Sequence, residues 1–440
     1  MPIVPPTGAV LQSSLGNSAE KKRPLPFDHE QVRSNFPALS RRFDGDFAIF
    51  LDNAAGTQVP VQVIAQLGRY LIQENANSGG VFATSRATDA RIQAARAACA
   101  DFLGAESPKQ IVFGANMTTL TFHLAHALAR ELQPGDEIVT TRLEHDANVA
   151  PWLMLAERGV EVRFADIHPQ DATLDLASLK AQLGPRTRLV AVGYASNTFG
   201  TLNPVQEVVA LAQQVGALSF VDAVHYAPHG PIDVAALGCD FLVCSAYKFY
   251  GPHLGILYGR AEQLRRLRPD KVRAVPDQPP DSFETGTLNH EGLAGLLGCF
   301  EYLEGLAPED SKPADRRTRL RLAMQAVAAA ERELSERFLA GARTLPGLTL
   351  YGIADERRLD QRVPTFAVRL GGWSPQAAAE ALAARNIFVW NGHNYALEPV
   401  RRLGLFEGGG VVRISPVHYN TPEEIDRLLS ELRRMSQAGG

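Results

Sequence analysis

Between about residues 110 and 260 the chain alternates short apolar, β-branched runs with longer stretches of helical periodicity. "QIVFGAN", "DEIVTT", "VEVRFAD", "RLVAVGYAS", "ALSFVDAVH", "DFLVCSAYK" and "GILYG" read as strands. Between them "TTLTFHLAHALARELQ", "VAPWLMLAERG" and "PVQEVVALAQQVG" read as helices, with Gly or Pro punctuating their ends. Strands apolar on both faces and separated by helices predict an α/β fold with a mostly parallel sheet flanked by helices. Ligands of such sheets sit at the carboxyl ends of the strands, so the residues just after each run carry the chemistry.

After about residue 310 the pattern changes. A long helical stretch leads into "LTLYGI" and "PTFAVRL", a helix "PQAAAEALAARN", a strand pair "IFVWNG" and "GGVVRISPVHY", and a closing helix. This predicts a smaller α+β C-terminal domain over 311–440, a large domain over 27–310 whose segment 27–50 packs with the small one, and a flexible arm over 1–26. The 440 residues suffice for two such domains.

A formal net charge of -4 provides no basic field for nucleic acid and no polybasic patch for a membrane, which leaves a small metabolite as the expected partner. The first residues show no basic segment followed by an apolar one, and the expectation is a cytoplasmic protein. The four cysteines, Cys99, Cys239, Cys244 and Cys299, form no CxxC pair and fit a reducing compartment.

Polar groups gather after the strands: Asn116 and Thr118, His145, Asn197, Asp222 with His225, and Ser245 with Lys248. Lys248 follows an apolar run, where desolvation lowers an amine's pKa and frees it as a Schiff-base nucleophile. A strand-terminal lysine taken alone is more often a solvated chain end. Asp222 also ends an apolar strand; it reads equally as a helix N-cap and as the partner of a protonated pyridine nitrogen. His225 and His229 are spaced for a metal, yet Pro228 breaks the helix that would align them. Neither G-x-G-x-x-G nor a P-loop occurs, so a phosphate would sit at Gly114 to Thr119, where a strand meets a helix N-terminus.

"FLDNAAGTQVP", "LEHDANVAPW", "ASNTFGTLNPV", "VDAVHYAPH", "SAYKFYGPHLGILYG", "ETGTLN" and "VVRISPVHYNTPEEIDRLL" follow the order and spacing of class V aminotransferase-fold enzymes, and the chain resembles the SufS-type cysteine desulfurases most. The resemblance implies the fold type I of pyridoxal 5'-phosphate (PLP) enzymes, an amino-acid substrate and a homodimer. It implies that Lys248 forms the Schiff base and moves protons, His145 stacks on the cofactor ring, and Asp222 pairs with the ring nitrogen. Asn197 and His225 would lie at the ring hydroxyl, with His225 in place of the usual glutamine. Asn116, Met117, Thr118 and Ser245 would hold the phosphate together with Tyr247, which stands where a histidine is usual, and Thr287 would reach the partner's cofactor. Arg413 would grip the substrate carboxylate, with Ala55, Gly56 and Asn197 close by.

One departure bears on the reaction. The loop that carries the sulfur-accepting cysteine in the desulfurases here reads "VWNGHNYALEP", with His393 retained, Asn394 and Tyr395 at the position of the thiol, and no cysteine after Cys299. The expectation is a C–S lyase performing β-elimination on cysteine or an S-substituted cysteine, with Tyr395 as an acid toward the leaving group, a lid, or a packing residue. The alternatives are an epimerase, transaminase or cyclase of secondary metabolism, with Trp390, Asn391, His393 and Tyr395 lining a larger pocket for a bulky side chain, and a weakly catalytic scaffold that binds the cofactor and a protein partner.

Overall fold

The computed structural model describes residues 28–311 and 314–438, so the expected arm over 1–26 lies outside the described residues. All seven apolar runs form one sheet: β1 (Ile111–Gly114), β2 (Glu137–Thr141), β3 (Glu161–Ala165), β4 (Thr187–Gly193), β5 (Leu218–Asp222), β6 (Phe241–Ser245) and β7 (Gly255–Gly259). Their order across the sheet is β1-β7-β6-β5-β4-β2-β3, and β7 alone runs antiparallel to its neighbours.

β2, β6 and β7 are buried along their whole length, which is why their sequences show apolar runs in place of alternation. Alternation persists in where the side chains go. On β6, Phe241 and Val243 enter one apolar cluster while Leu242 and Cys244 enter another on the opposite face. Each such fully buried Leu, Val or Phe contributes roughly 1.5–3 kcal/mol. Helices α1 (Val61–Gln73), α2 (Ala83–Leu103), α3 (Met117–Leu128), α4 (Val205–Gln214) and α5 (His290–Glu304) surround the sheet. α3 covers the Phe241 face through Leu120, Leu124 and Leu128; α2, α4 and α5 join the other cluster.

A second sheet, β8-β9-β11-β10, is antiparallel and joins β8 (Leu348–Tyr351), β9 (Phe366–Leu370), β10 (Trp390–Gly392) and β11 (Val411–Ile414). With it go helices α6 (Arg316–Ala342), α7 (Pro375–Ala383) and α8 (Pro422–Ala438). α6 serves both cores: Leu320, Met324 and Val327 pack with the large sheet's cluster, Leu334, Phe338 and Leu339 with the small one's. Ile49–Phe50 pairs in parallel with Ile387–Phe388, and the Asn53 amide donates to Ser415 O at 2.8 Å, joining residues 362 apart in sequence. No helix among the described residues is long and apolar enough to cross a membrane.

Two elements differ from expectation. The helix expected over 149–159 is a short α-helix, Ala150–Leu153, followed by a 3-10 helix, Met154–Arg158. Gly159 then takes φ +80 and its carbonyl accepts from Gly135 N at 2.8 Å, so the chain turns back too soon for a regular helix. "IFVWNG" is divided: Ile387–Phe388 pairs with Ile49–Phe50, whereas Trp390–Gly392 pairs with β11.

Candidate active site

The carboxyl ends of the parallel strands converge on one pocket. Asp222 is the last residue of β5 and only 7% exposed, its carboxylate accepting from Val224 N at 2.9 Å. Lys248 follows β6 on the 3-10 turn Ala246–Lys248, and its Nζ donates to Ala54 O and, at 3.0 Å, to Ala55 O. Gly255 lets the returning strand pass against the start of α3; a Cβ there would lie 2.4 Å from the Asn116 carbonyl carbon.

Burial governs the charges. It lowers the Lys248 amine to about 7, assisted by Arg413 and opposed by Asp222. Burial raises Asp222 to about 6 against the Val224 hydrogen bond and the Lys248 charge. His145 falls to about 3 through burial and the nearby Lys248 and Arg413 charges, so its imidazole is neutral. Its Nδ1 accepts from Ala147 N at 3.0 Å, which places the ring proton on Nε2. His225 is likewise held well below the usual histidine range by burial, with His229 and Arg413 adding to it, and its Nε2 meets Thr365 Oγ1 at 2.9 Å. A free amine at neutral pH beside a buried carboxylate suits nucleophilic addition to a carbonyl followed by proton transfer.

The inner pocket is lined by Met117, Thr118, His145, Asn197, Asp222, His225, Tyr247 and Lys248, all of them expected site residues. A wider mouth adds Ala55, His393, Tyr395 and Arg413. Asn116, Gly56 and Ser245 stand behind these residues. Asn116 caps α3 by accepting from Thr119 N at 2.9 Å, and Ser245 Oγ accepts from Met117 N at 3.0 Å, so both order the strand-to-helix turn. A Cβ on Gly56 would meet the Tyr247 ring at 3.3 Å. Thr287 is exposed and lines neither cavity. The histidines weighed as metal ligands have protein partners: His225 meets Thr365, and His229 Nδ1 lies 2.7 Å from Glu331 Oε2.

Sequence reading missed Glu144, which lines the inner pocket. Its carboxylate accepts from Thr141 Oγ1 at 2.6 Å and Asn148 Nδ2 at 2.7 Å, and burial still raises its pKa to about 7. Its one sequence signal was its place beside His145 in "LEHDAN". Phe122, Asp146 and Ala150 at the mouth were also missed: Phe122 lies within an apolar helix outside any motif, and Asp146 and Ala150 sit in "LEHDANVAPW" beside His145, which drew the reading to itself.

At the mouth Arg413 donates from Nη1 to Asn197 O at 3.0 Å. The Asn197 amide donates to Asn394 O at 2.7 Å, and Asp146 N donates to Tyr395 O at 2.7 Å. These bonds hold Asn394 and Tyr395 at φ 52 and 56, a conformation that non-glycine residues rarely adopt. The Tyr395 ring stacks on His145 at 5.6 Å. Arg413 Nε and Asn197 Oδ1 are buried without a hydrogen-bond partner, so the site is built to receive further polar groups.

Comparison with known proteins assigns this arrangement. The family model for aminotransferase class-V matches residues 49–428. The chain belongs to the class V aminotransferase family. It is 35% identical to a cysteine desulfurase of Klebsiella pneumoniae, over 94% of this chain and 100% of that one. It is 37% identical to a probable cysteine desulfurase of Mycolicibacterium paratuberculosis, of which it spans only 59%. Among solved structures it is similar to cysteine desulfurases from Thermococcus onnurineus, with TM-score 0.83 and 28% identity over 94% and 99% of the chains, and from Escherichia coli, with TM-score 0.79 and 27% identity over 94% and 100%. As a class V enzyme of the cysteine desulfurase-like kind, the protein is PLP-dependent and has the fold type I architecture. The inner pocket fits that cofactor: an amine lowered to about 7, a buried carboxylate and a helix N-terminus face one cavity.

All four cysteines are buried. Burial pushes Cys239 up to about 12 and holds Cys99, Cys244 and Cys299 above the ordinary thiol range. None of them lines either cavity.

Proposed function

We propose that this class V enzyme is a C–S lyase, cleaving the Cβ–S bond of cysteine or an S-substituted cysteine without forming a protein persulfide. The observation that carries the reading is the loop at the mouth, where Asn394 and Tyr395 stand and every thiol of the chain is buried elsewhere. A persulfide acceptor must be an accessible thiolate, and four buried, proton-retaining thiols meet neither condition. The net reaction is R–S–CH2–CH(NH3+)–COO− plus water giving RSH, pyruvate and NH4+.

PLP, when bound, supplies an electron sink that acidifies the substrate Cα–H and labilises the group on Cβ. Lys248 would hold it covalently and Asp222 would face its ring nitrogen. His145 would cover the ring, and Asn197 and His225 would lie at its hydroxyl. Asn116, Met117, Thr118, Ser245 and Tyr247 would hold its phosphate, joined by Thr287 from a second copy in a homodimer. Arg413 orients the amino acid by its carboxylate, beside the backbone of Ala55 and Gly56. Lys248, whose amine burial lowers to about 7, takes the Cα proton. Tyr395 and His393 close the mouth over the departing sulfur.

Mass spectrometry of products from L-cysteine, L-cystine and S-methyl-L-cysteine tests this reading. Pyruvate is expected with hydrogen sulfide from L-cysteine, thiocysteine from L-cystine and methanethiol from S-methyl-L-cysteine, all absent with Lys248→Ala. Stoichiometric persulfide on any of the four cysteines after incubation with L-cysteine would overturn it. A second reading, an epimerase, transaminase or cyclase acting on a larger amino acid, draws on the width of the mouth; formation of the enantiomer or the oxo acid would establish it.

A further inference from the structure

Cysteine itself leaves most of the mouth unexplained. Besides Tyr247, which also borders the inner pocket, three large rings, Phe122, Trp390 and Tyr395, line it, and they come from three separate elements. Phe122 lies one turn beyond Thr118 on α3, so the two share a helix face and both border the cavity. Trp390 is the direct cross-strand partner of Arg413 between β10 and β11. Directly opposed residues project to the same side with Cβ atoms about 5 Å apart, so Trp390 and Arg413 share one face of the sheet, and both border the cavity. Tyr395 is fixed from behind by the Asp146–Tyr395 backbone bond and the His145 stack.

Trp390 is 48% exposed and Tyr395 67%, although each borders a cavity with room for far more than a thiol. Rings converging on a concave site around a few polar groups are what recognises an apolar or aromatic ligand. Arg413 fixes one end of that ligand, because its guanidinium is the carboxylate clamp. A side chain leaving Cα then runs out along Trp390 toward Phe122 and Tyr395.

We propose that the substrates are cysteine thioethers carrying an aromatic S-substituent, with the aryl group packed on Trp390. This rests on the lyase reading above. The Cβ–S bond breaks, sulfur leaves with the bonding pair and takes a proton as the aryl or arylalkyl thiol, and water completes pyruvate and NH4+. No oxidant or reductant is needed.

The experiment compares kcat/KM of the PLP-loaded enzyme for S-benzyl-L-cysteine and S-methyl-L-cysteine. Burial of the phenyl group with ring–ring contact gives an expected preference of about 30-fold for the benzyl thioether. Trp390→Ala should lower that ratio about tenfold. In parallel, binding of two uncleavable analogues, 2-amino-5-phenylpentanoate and norvaline, is measured by calorimetry, and the phenyl compound should bind more tightly in the wild type than in Trp390→Ala. Equal kcat/KM for both thioethers with equal binding of both analogues overturns the proposal and leaves the lyase reading standing. Tighter binding of the phenyl compound without pyruvate from either thioether supports the aromatic pocket and removes the lyase reading. A Trp390→Ala variant that changes only the association state of the protein overturns the proposal, since the ring would then be a contact between copies.

Discussion

The side-chain amide of Asn197 donates to the Asn394 carbonyl at 2.7 Å, tying the turn after β4 to the loop that carries Tyr395. Two successive left-handed residues, Asn394 and Tyr395, cost roughly 1–3 kcal/mol each and persist only where their surroundings hold them. Asn197→Ala removes one of those restraints. The loop should become more sensitive to limited proteolysis, and KM for the amino acid should rise about tenfold, the equivalent of one hydrogen bond. An unchanged digestion pattern and KM would show that the Asp146–Tyr395 bond suffices.

Arg413→Ala should raise KM for any amino-acid substrate by about 30-fold or more, the loss expected for a buried, hydrogen-bonded charge pair. Arg413→Lys should recover little of it, because an ammonium cannot present two parallel donors. Steady-state kinetics decides this, and an unchanged KM in Arg413→Ala removes the clamp.

The pH dependence follows from Lys248. Its folded value of about 7 lies below its unfolded value, so between those two values the unfolded chain binds more protons and stability rises with pH. Cofactor-free wild type should therefore gain melting temperature from pH 7 toward pH 10 relative to Lys248→Met, which lacks the titrating amine. Parallel curves for the two proteins would mean that Lys248 is solvated. Asp222, raised to about 6, has the opposite sign: its burial penalty is absent at low pH and complete above about 6, so Asp222→Asn should help the cofactor-free protein most above that pH.

The buried thiols give a fourth test. Native protein should react with a thiol-specific reagent far more slowly than unfolded protein, and alkylation under native conditions should leave turnover intact. Rapid loss of activity on modification of one cysteine would return a thiol to the mechanism.

Much of this was legible in the sequence because strand burial and strand-end chemistry are local properties. Lys248, Asp222 and His145 each stand just after a run such as "FLVCS", and the sheet's parallel order brings those ends together without further information. Glu144 was not legible: Thr141 and Asn148 are its neighbours along the chain, but its place in the pocket also needs the Gly193 backbone to arrive from the end of β4. Nor was Phe122, which looks like a core residue until α3 is placed beside the cavity that Trp390, Asn391, His393 and Tyr395 line as the sequence led one to expect. The division of "IFVWNG" escaped for a related reason. A continuous apolar run says nothing about which of two sheets each half will join.

The link from Asn53 to Ser415 has a consequence for biosynthesis. On the ribosome the sheet that bears Lys248 emerges well before Arg413, while Ala54 and Ala55, whose carbonyls receive the lysine, emerge first, just after Ile49–Phe50, which has no partner strand until Ile387–Phe388 is made. Such long-range closure is slow and comes late. A nascent chain thus holds an electrophile-seeking amine in an open half-site from the synthesis of Lys248 until that of Arg413, and only the last part of synthesis gives it both a lid and a substrate clamp.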